Sequence, residues 1–470
     1  MEISGEKCAV FGVYGKGLDA ARLTFFGLYA LQHRGQESSG IAVVSGDGVL
    51  ARHAGMGLVA QVYTEQDIGR LSGSAAIGHN RYSTAGGSRI EHCQPILMNG
   101  GLPAQTGMAA LAHNGNLPST VLLEQFLVSR GMSVSGLSDS HMIAGAIACR
   151  LADGLAIEDA VEATYPLMTG SFSILILTPD KMIALRDAYG IRPLALARLN
   201  GGYVFSSETC ALHPIGARYE RDVRAGEMVV VDESGIRSRQ LAPGNERLDL
   251  FEFVYFSRPD SVLLGQSVYE ARRRSGLRLA EESPVPADVV VPVPETALPV
   301  AIGYSAKTGI PLEMALVKNR YIHRTFIAPE QHIREQGVKL KLTPIPEIIR
   351  GKRVAIIDDS IVRGTTSKQL VAMLFEAGAR EVHFIVASPP VKFPDFYGID
   401  ISDQKQLLAA NHSVEGMRGF IGATSLNFLS LDGLIRAVGV PRERLCTSCF
   451  TGDYPIGLHE RAKEVSYSAW

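Results

Sequence analysis

The sequence predicts two unlike sheets in series: an α+β layered domain, then an α/β domain built on a parallel sheet. Three observations predict it. Up to about residue 230, short strands pair through hairpin signals while helices stand apart, the α+β pattern. Past residue 250, apolar β-branched runs alternate with helical stretches, the mark of a parallel sheet covered on both faces. The composition is that of a folded chain, with 470 residues, 46% hydrophobic and 20% charged.

In the first half, Ala9–Tyr14 is an apolar strand. Asp19–Gln32 has helical spacing, with Asp19 as N-cap and Leu23, Phe26, Leu28 and Leu31 on one face. Ser39–Val44 and Val49–Arg52 flank Gly46-Asp47-Gly48, a hairpin. Further strands are expected at Ala75–His79, Ala109–His113, Phe172–Leu177, Met182–Arg186 and Tyr203–Ser206, and helices at Ser138–Leu151 and Ile157–Met168. The polar stretch Glu233–Arg247 opens a linker, placed at 233–260. In the second half, 261–410, strands are expected at Asp288–Val293, Leu312–Val317, Arg353–Ile357 and Glu381–Ala387. Helices are expected at Glu295–Lys307 and Thr365–Ala377. The basic helix Ala271–Leu279 reads as solvated surface. The remainder, 411–470, reads as a tail on the domain interface with little pattern of its own.

Charge and cysteine content narrow the function. With 46 Lys+Arg against 48 Asp+Glu, the balance argues against a generic nucleic-acid binder. No apolar run approaches the ~18 residues of a membrane span. The opening MEISGEKC lacks the apolar core of a secretory signal. Six cysteines are too few for a disulfide scaffold. A cytoplasmic protein is expected, with its cysteines in core, metal or catalytic roles; Cys93, Cys149 and Cys210 read as core.

The most informative segment is Arg353–Ser367, RVAIIDDSIVRGTTS. An apolar strand runs into two acids, a loop of small and hydroxyl residues, and a helix start. Free N–H groups and the helix dipole suit a phosphate there, and Gly364 permits close backbone approach. Asp358 and Asp359 would repel phosphate, so they should face sugar hydroxyls or a hard cation. The segment resembles the PRPP-binding signature of type I phosphoribosyltransferases (PRPP, 5-phosphoribosyl pyrophosphate). Lys318–Lys341 carries six Lys/Arg and only two Glu. It reads as a lid for pyrophosphate or, equally, as a solvated basic face or RNA contact.

Cys8 lies just ahead of an apolar strand, where a lone cysteine is usually core. Arg81 in HNRYSTAGG, Asn114-Gly115 in AHNGNL and Asp139 in SDSH each have a bland reading: surface arginine, hairpin turn, N-cap. Together they supply what glutamine hydrolysis needs. A thiolate attacks the amide. A side-chain amide and a backbone N–H hold the oxyanion. An arginine takes the α-carboxylate and an aspartate the α-ammonium. If residues 1–7 were removed, the α-amino group of Cys8, with a reference pKa of about 7.7–8.0, could act as base.

With CAVFGVYG, LQHRGQESSGIAV, GHNRYSTAGG, LAHNGNL, SDSH, FSSETCAL, VYFSRPDS, LVKNRYIHRTFI, REQGVKLKL and IIDDSIVRGTTS in order, the whole chain resembles the amidophosphoribosyltransferase family. The resemblance implies a propeptide (1–7), an N-terminal-nucleophile (Ntn) glutaminase domain (8–232) and a type I phosphoribosyltransferase domain. It implies Cys8 as nucleophile, Asn114 and Gly115 as oxyanion hole, and Arg34, Arg81 and Asp139 around glutamine. Thr296, Asp358 and Asp359 would hold Mg²⁺ and PRPP, and Ser360, Gly364, Thr365 and Thr366 the 5′-phosphate. Lys318, Arg320, Arg324 and Lys339 would meet PRPP from the basic segment. The implied reaction is glutamine, PRPP and water giving 5-phosphoribosylamine, glutamate and pyrophosphate. A homodimer or homotetramer inhibited by purine nucleotides is implied too.

Many relatives carry a [4Fe–4S] cluster on four cysteines. Here Cys446 and Cys449 match two of those positions, but Asp249 and Asp395 fall on the others. Three readings stand: a cluster with carboxylate ligands, a Cys₂Asp₂ Zn²⁺ site, or an empty site. The donor types tilt toward no intact cluster. Two other proteins compete for the whole sequence. Glucosamine-6-phosphate synthase fits poorly, because its longer sugar-isomerase half lacks IIDDSIVRGTTS. A PRPP-sensing regulator with a vestigial glutaminase domain sits badly with the joint presence of Cys8, Arg81, Asn114 and Asp139.

Overall fold

A computed structural model describes residues 8–82, 90–98, 108–319, 342–398 and 403–466. The expected propeptide, 1–7, and Arg320, Arg324 and Lys339 lie outside the described residues. The N-terminal half is built from β1 (Ala9–Tyr14), β2 (Ser38–Val44), β3 (Leu50–Met56), β4 (Ala75–Arg81), β5 (Ile96–Met98), β6 (Ala109–Ser119), β7 (Thr169–Leu177), β8 (Lys181–Arg186), β9 (Ala195–Leu199), β10 (Gly202–Ser206), β11 (Arg218–Asp222), β12 (Glu227–Asp232) and β13 (Gly235–Gln240). These strands form two antiparallel sheets, ordered β11-β9-β10-β1-β4-β2-β3 and β13-β12-β8-β7-β6-β5.

The period-2 alternation of each strand divides its side chains between two cores. Val10 of β1, Ala110 and Ala112 of β6, and Leu175 and Leu177 of β7 fill the space between the sheets. Phe11 and Val13 face outward onto the Ala20–Ala30 helix. Leu111, Ile174 and Ile176 pack under the Asp139–Ala152 and Ile157–Thr164 helices. Helical cover on both outer faces explains why antiparallel strands read as near-continuous apolar runs.

Asp19 caps the Ala20–Ala30 helix as expected, accepting from the Arg22 N–H. The buried face differs from the expected one: Ala20, Ala21, Thr24, Gly27 and Leu28 are inside, while Phe26 is 44% exposed. Phe11 is the reason. Its ring lies where a Cβ on Gly27 would be 2.4 Å away, so small residues must form that contact. Ser138, not Asp139, caps the next long helix, which leaves the Asp139 carboxylate for other partners. Asn114-Gly115 is no turn; it lies inside β6, opposite Ser173 and Phe172.

The 233–260 span is not a free linker. Gly235–Gln240 is β13 and pairs along its whole length with β12. It reads as polar because it is an edge strand whose Arg237 and Arg239 reach Glu158 and Glu162 on a neighbouring helix. Farther on, Leu248, Leu250, Phe251, Phe253 and Phe256 belong to the core of the second half.

That half contains a four-stranded parallel sheet in the order Val289–Pro292, Arg353–Asp358, Glu381–Val386, Ser425–Phe428. The fourth strand comes from the expected tail, so the tail begins as part of this sheet. Four residues are too few for their alternation to stand out in sequence. The end of the chain does pack on the first half: Ile456 and Leu458 share a core with Ile191, and the Ser119 hydroxyl donates to Glu460 at 3.0 Å. Leu312–Val317 is mostly not a strand; Leu316–Lys318 pairs with Leu342–Pro344. The basic helix, Val268–Glu282, is only partly surface. Its Arg272 is 2% exposed, because the helix lies against the segment after residue 250. No described helix is long and apolar enough to cross a membrane.

The Val268–Glu282 and Leu298–Thr308 helices meet backbone to backbone. A Cβ at Gly276 would lie 1.9 Å from the Val300 carbonyl oxygen, and one at Gly303 2.0 Å from that of Arg273. Gly276→Ala or Gly303→Ala is therefore expected to destabilise the second half by about 2–3 kcal/mol. Denaturant unfolding followed by tyrosine fluorescence checks it, and an unchanged midpoint would refute the contact.

Candidate active site

Cys8 is the first described residue and leads directly into β1. Ala9 pairs with Asn80, which brings Arg81, at the end of β4, alongside Cys8. Behind β1, Ser207 is fully buried; its hydroxyl accepts from the Val10 N–H at 2.9 Å and from Asn114 Nδ2 at 3.3 Å. The strand after the cysteine and the amide expected at the oxyanion thus share one hydroxyl. Gly115 has no room for a side chain: a Cβ would lie 2.0 Å from the Ser171 carbonyl oxygen.

Arg81 Nη1 donates to Glu37 Oε1 at 3.0 Å; Arg81 is buried and Glu37 partly so. The second oxygen, Glu37 Oε2, is buried with no hydrogen-bond partner. Asp139 accepts from the Ser140 and Leu117 N–H groups and lies 3.9 Å from His113 Nδ1. Burial pushes the His113 pKa down, so the imidazole is held neutral.

Arg34 is fully buried. Its Nε donates to the Cys8 carbonyl at 3.2 Å, Nη1 to Glu208, and Nη1 and Nη2 to Glu252 at 2.9 and 2.7 Å. Glu208 also accepts from His33 at 2.8 Å, from the Arg258 N–H at 2.9 Å and from Ser261 at 2.8 Å. Burial pushes both glutamates up, but the cations around them outweigh it and hold them below the usual carboxylate range. Among the described residues, His33, Glu208 and Cys210 place donor atoms within 4.8 Å of one another. Both Glu208 oxygens are already engaged and one bears a guanidinium, so this trio is a hydrogen-bond knot and not a metal site.

The second site is a cleft at the carboxyl end of the parallel sheet, lined by Tyr255, Thr296, Asp358, Asp359, Ser360, Gly364 and Thr366 among others. Gly364, at φ 80°, caps the Thr365–Glu376 helix, and a Cβ there would come within 2.5 Å of Leu408. Thr296 donates to Asp359, which also accepts from Ser360 at 2.7 Å. Burial, then the neighbouring Asp359 charge, raises the Asp358 pKa. Oxygen donors around two crowded carboxylates suit a hard cation such as Mg²⁺. Thr365 is exposed at the helix start, and Lys318 lies 3.8 Å from Glu295 at the cleft's edge.

Residues 83–214 match the glutamine amidotransferase domain family, and residues 276–388 the phosphoribosyl transferase domain family. The amidophosphoribosyltransferase of Synechococcus elongatus is 48% identical over 463 residues, covering 97% of this chain and 93% of that one. That of Bacillus subtilis is 43% identical over 466 residues, covering 98% and 96%. The chain belongs to the amidophosphoribosyltransferase family. The structure of the Bacillus subtilis glutamine PRPP amidotransferase complexed with ADP and GMP superposes with a TM-score of 0.88 at 42% identity, covering 96% of this chain and 98% of that one. The Ntn-type layered glutaminase domain and the type I phosphoribosyltransferase domain are thus both present.

Sequence reasoning missed Glu252, Glu208, Ser207, Glu37 and Tyr255. Glu252 had a signal: a lone acid inside the apolar run LDLFEFVYF must be buried and must have a partner.

Asp249, Asp395, Cys446 and Cys449 are all buried. The Asp249 carboxyl is raised by burial, then by Asp395; both thiols are raised by burial, then by Asp249. The four residues therefore share one region, yet no three of their donor atoms lie within 4.8 Å of one another. Donors on a single Zn²⁺ would sit closer, and a [4Fe–4S] cluster calls for four thiolates where two carboxylates stand. Each aspartate also spends Oδ1 on a backbone N–H: Asp249 on Phe251 at 2.9 Å, Asp395 on Tyr397 at 2.8 Å. Four thiolates are therefore not available here, while Asp249 Oδ2 stays buried without a hydrogen bond. Protein purified without oxygen is expected to lack iron–sulfur absorption, and the Asp249→Cys, Asp395→Cys double variant to gain it. Stoichiometric iron or zinc in the unaltered chain would reverse this reading.

Proposed function

We propose that the chain makes 5-phosphoribosylamine, with glutamate and pyrophosphate, from glutamine, PRPP and water, the first committed step of purine nucleotide synthesis. One observation carries this reading. A cysteine at a strand start, backed by Asn114 and Ser207, is joined through Arg34 and Glu252 to the segment bearing Tyr255, which lines the cleft of Asp358 and Asp359.

In this reading each residue has a role. After loss of residues 1–7, the α-amino group of Cys8 takes the thiol proton. The thiolate attacks the side-chain amide of glutamine, and the oxyanion faces Asn114 Nδ2 and the Gly115 N–H. Ammonia leaves, and water releases glutamate from the thioester. Arg81, held by Glu37, takes the α-carboxylate, and Asp139 the α-ammonium. Arg34 fixes the backbone of Cys8. In the cleft, the Ser360–Ser367 loop and the helix N-terminus receive the 5′-phosphate. Thr296, Asp358 and Asp359 hold the ribose side and Mg²⁺, which when bound offsets the charge of departing pyrophosphate. Lys318, with Arg320, Arg324 and Lys339, meets that pyrophosphate. Ammonia crosses inside the protein to ribose C1. The enzyme works in the cytoplasm as a homodimer or homotetramer under purine-nucleotide inhibition. A PRPP-sensing regulator is not favoured, because a vestigial site would not keep Cys8, Asn114, Arg81 and Asp139 on shared supports.

Cys8→Ala is expected to abolish glutamine-dependent synthesis and spare synthesis from ammonia; steady-state assays with each donor decide, and loss of both would contradict separate sites. Asp358→Asn is expected to raise the KM for PRPP by at least ~10-fold by removing a charge-assisted contact, and an unchanged KM would refute its role.

A further inference from the structure

We infer that Glu252 is a positioning residue for Cys8, so that the glutaminase site is completed by a carboxylate from outside its own sheets. Glu252 opens the five-residue π-helical turn Glu252–Phe256, beyond β13 and beyond the matched amidotransferase segment. It is fully buried. Both its oxygens face Arg34, at 2.7 and 2.9 Å, in a two-pronged pair. A guanidinium is planar and rigid, so fixing this edge fixes the direction of Nε, which holds the Cys8 carbonyl at 3.2 Å. Glu208 cannot do this alone, because it meets only Nη1 and is shared with His33.

Glu252 is itself locked by Ser257 Oγ at 2.7 Å and Arg192 Nη1 at 3.2 Å. The rest of the turn has its own anchor: Arg272 donates to the Phe253 and Ser257 carbonyls at 2.8 Å each. The side of the turn bearing Tyr255 therefore keeps its place when the Arg34 side is disturbed. Glutamine at 252 would remove the charge and set an amide N–H against a guanidinium N–H. Arg34 would turn, and Cys8 would lose its backbone anchor.

The inference rests on the proposed reading of Cys8 as nucleophile. The test uses the full chain as Glu252→Gln and Glu252→Asp, with Cys8→Ala alongside, assayed with glutamine and with ammonia. Glu252→Gln is expected to lower kcat with glutamine about 100-fold, the size of effect that a misplacement of about 1 Å produces. The KM for glutamine should move less than about threefold, since Arg81 and Asp139, the groups proposed to take its α-carboxylate and α-ammonium, do not bond Glu252. Ammonia-dependent synthesis and the KM for PRPP should stay within about twofold, since Arg272 anchors that side. If Glu252→Gln does not fold, Glu252→Asp, which keeps the charge, is expected to show the same split at about tenfold. Glutamine-dependent kcat within threefold of the parent, or parallel loss of both activities in either variant, overturns the inference. Glutamine use surviving in Cys8→Ala would instead overturn the nucleophile reading.

Discussion

The two halves are held in one arrangement by a buried charge network. Arg34, Arg192, Glu208 and Glu252 are each at most 1% exposed, two cations against two anions. Such groups tolerate burial only when each is paired, and leaving one partner unpaired costs roughly 3–5 kcal/mol. Three of the four come from the glutaminase half and Glu252 from the segment that follows it. Separating the halves would leave Arg34 with Glu208 alone and take Glu252 away from Arg192. The network adds little net stability over an apolar interface of equal volume. Its effect is on placement, because bidentate guanidinium–carboxylate geometry admits little sliding.

Much of this was legible in the sequence. The strand after Cys8, the hairpin around Asp47, the IIDDSIVRGTTS loop and three of the four parallel strands lie where periodicity and turn residues put them, because these signals are local. What was hidden depends on partners distant in sequence. Phe26 lost its place in the core to Gly27, since Phe11 fills that space. Polar β13 resembled a linker because its partners are arginine-binding acids on a distant helix. Glu252 and Ser207 act through residues 218 and 93 positions away, respectively, and no local pattern marks such pairs.

The Asp249 and Asp395 positions show a substitution changing the work of a site. A thiolate there would serve as a soft ligand, whereas each aspartate closes a short turn on the N–H two residues ahead. Asp249 also lies 3.6 Å from Arg192, between the charge network and Cys446. Arg192 in turn donates to the Tyr397 carbonyl at 3.1 Å, beside Asp395. Both aspartates thus lie beside the seam between the halves.

The strand Ser425–Phe428 has a consequence for biogenesis. Glutaminase sheets that close by residue 240 can form while the ribosome is still translating. The parallel sheet cannot gain its outer strand until almost the whole polypeptide has emerged. During that interval Glu381–Val386 presents an unpaired apolar margin, a template for errant β-pairing between nascent chains. Truncation ahead of Ser425 would make that interval permanent.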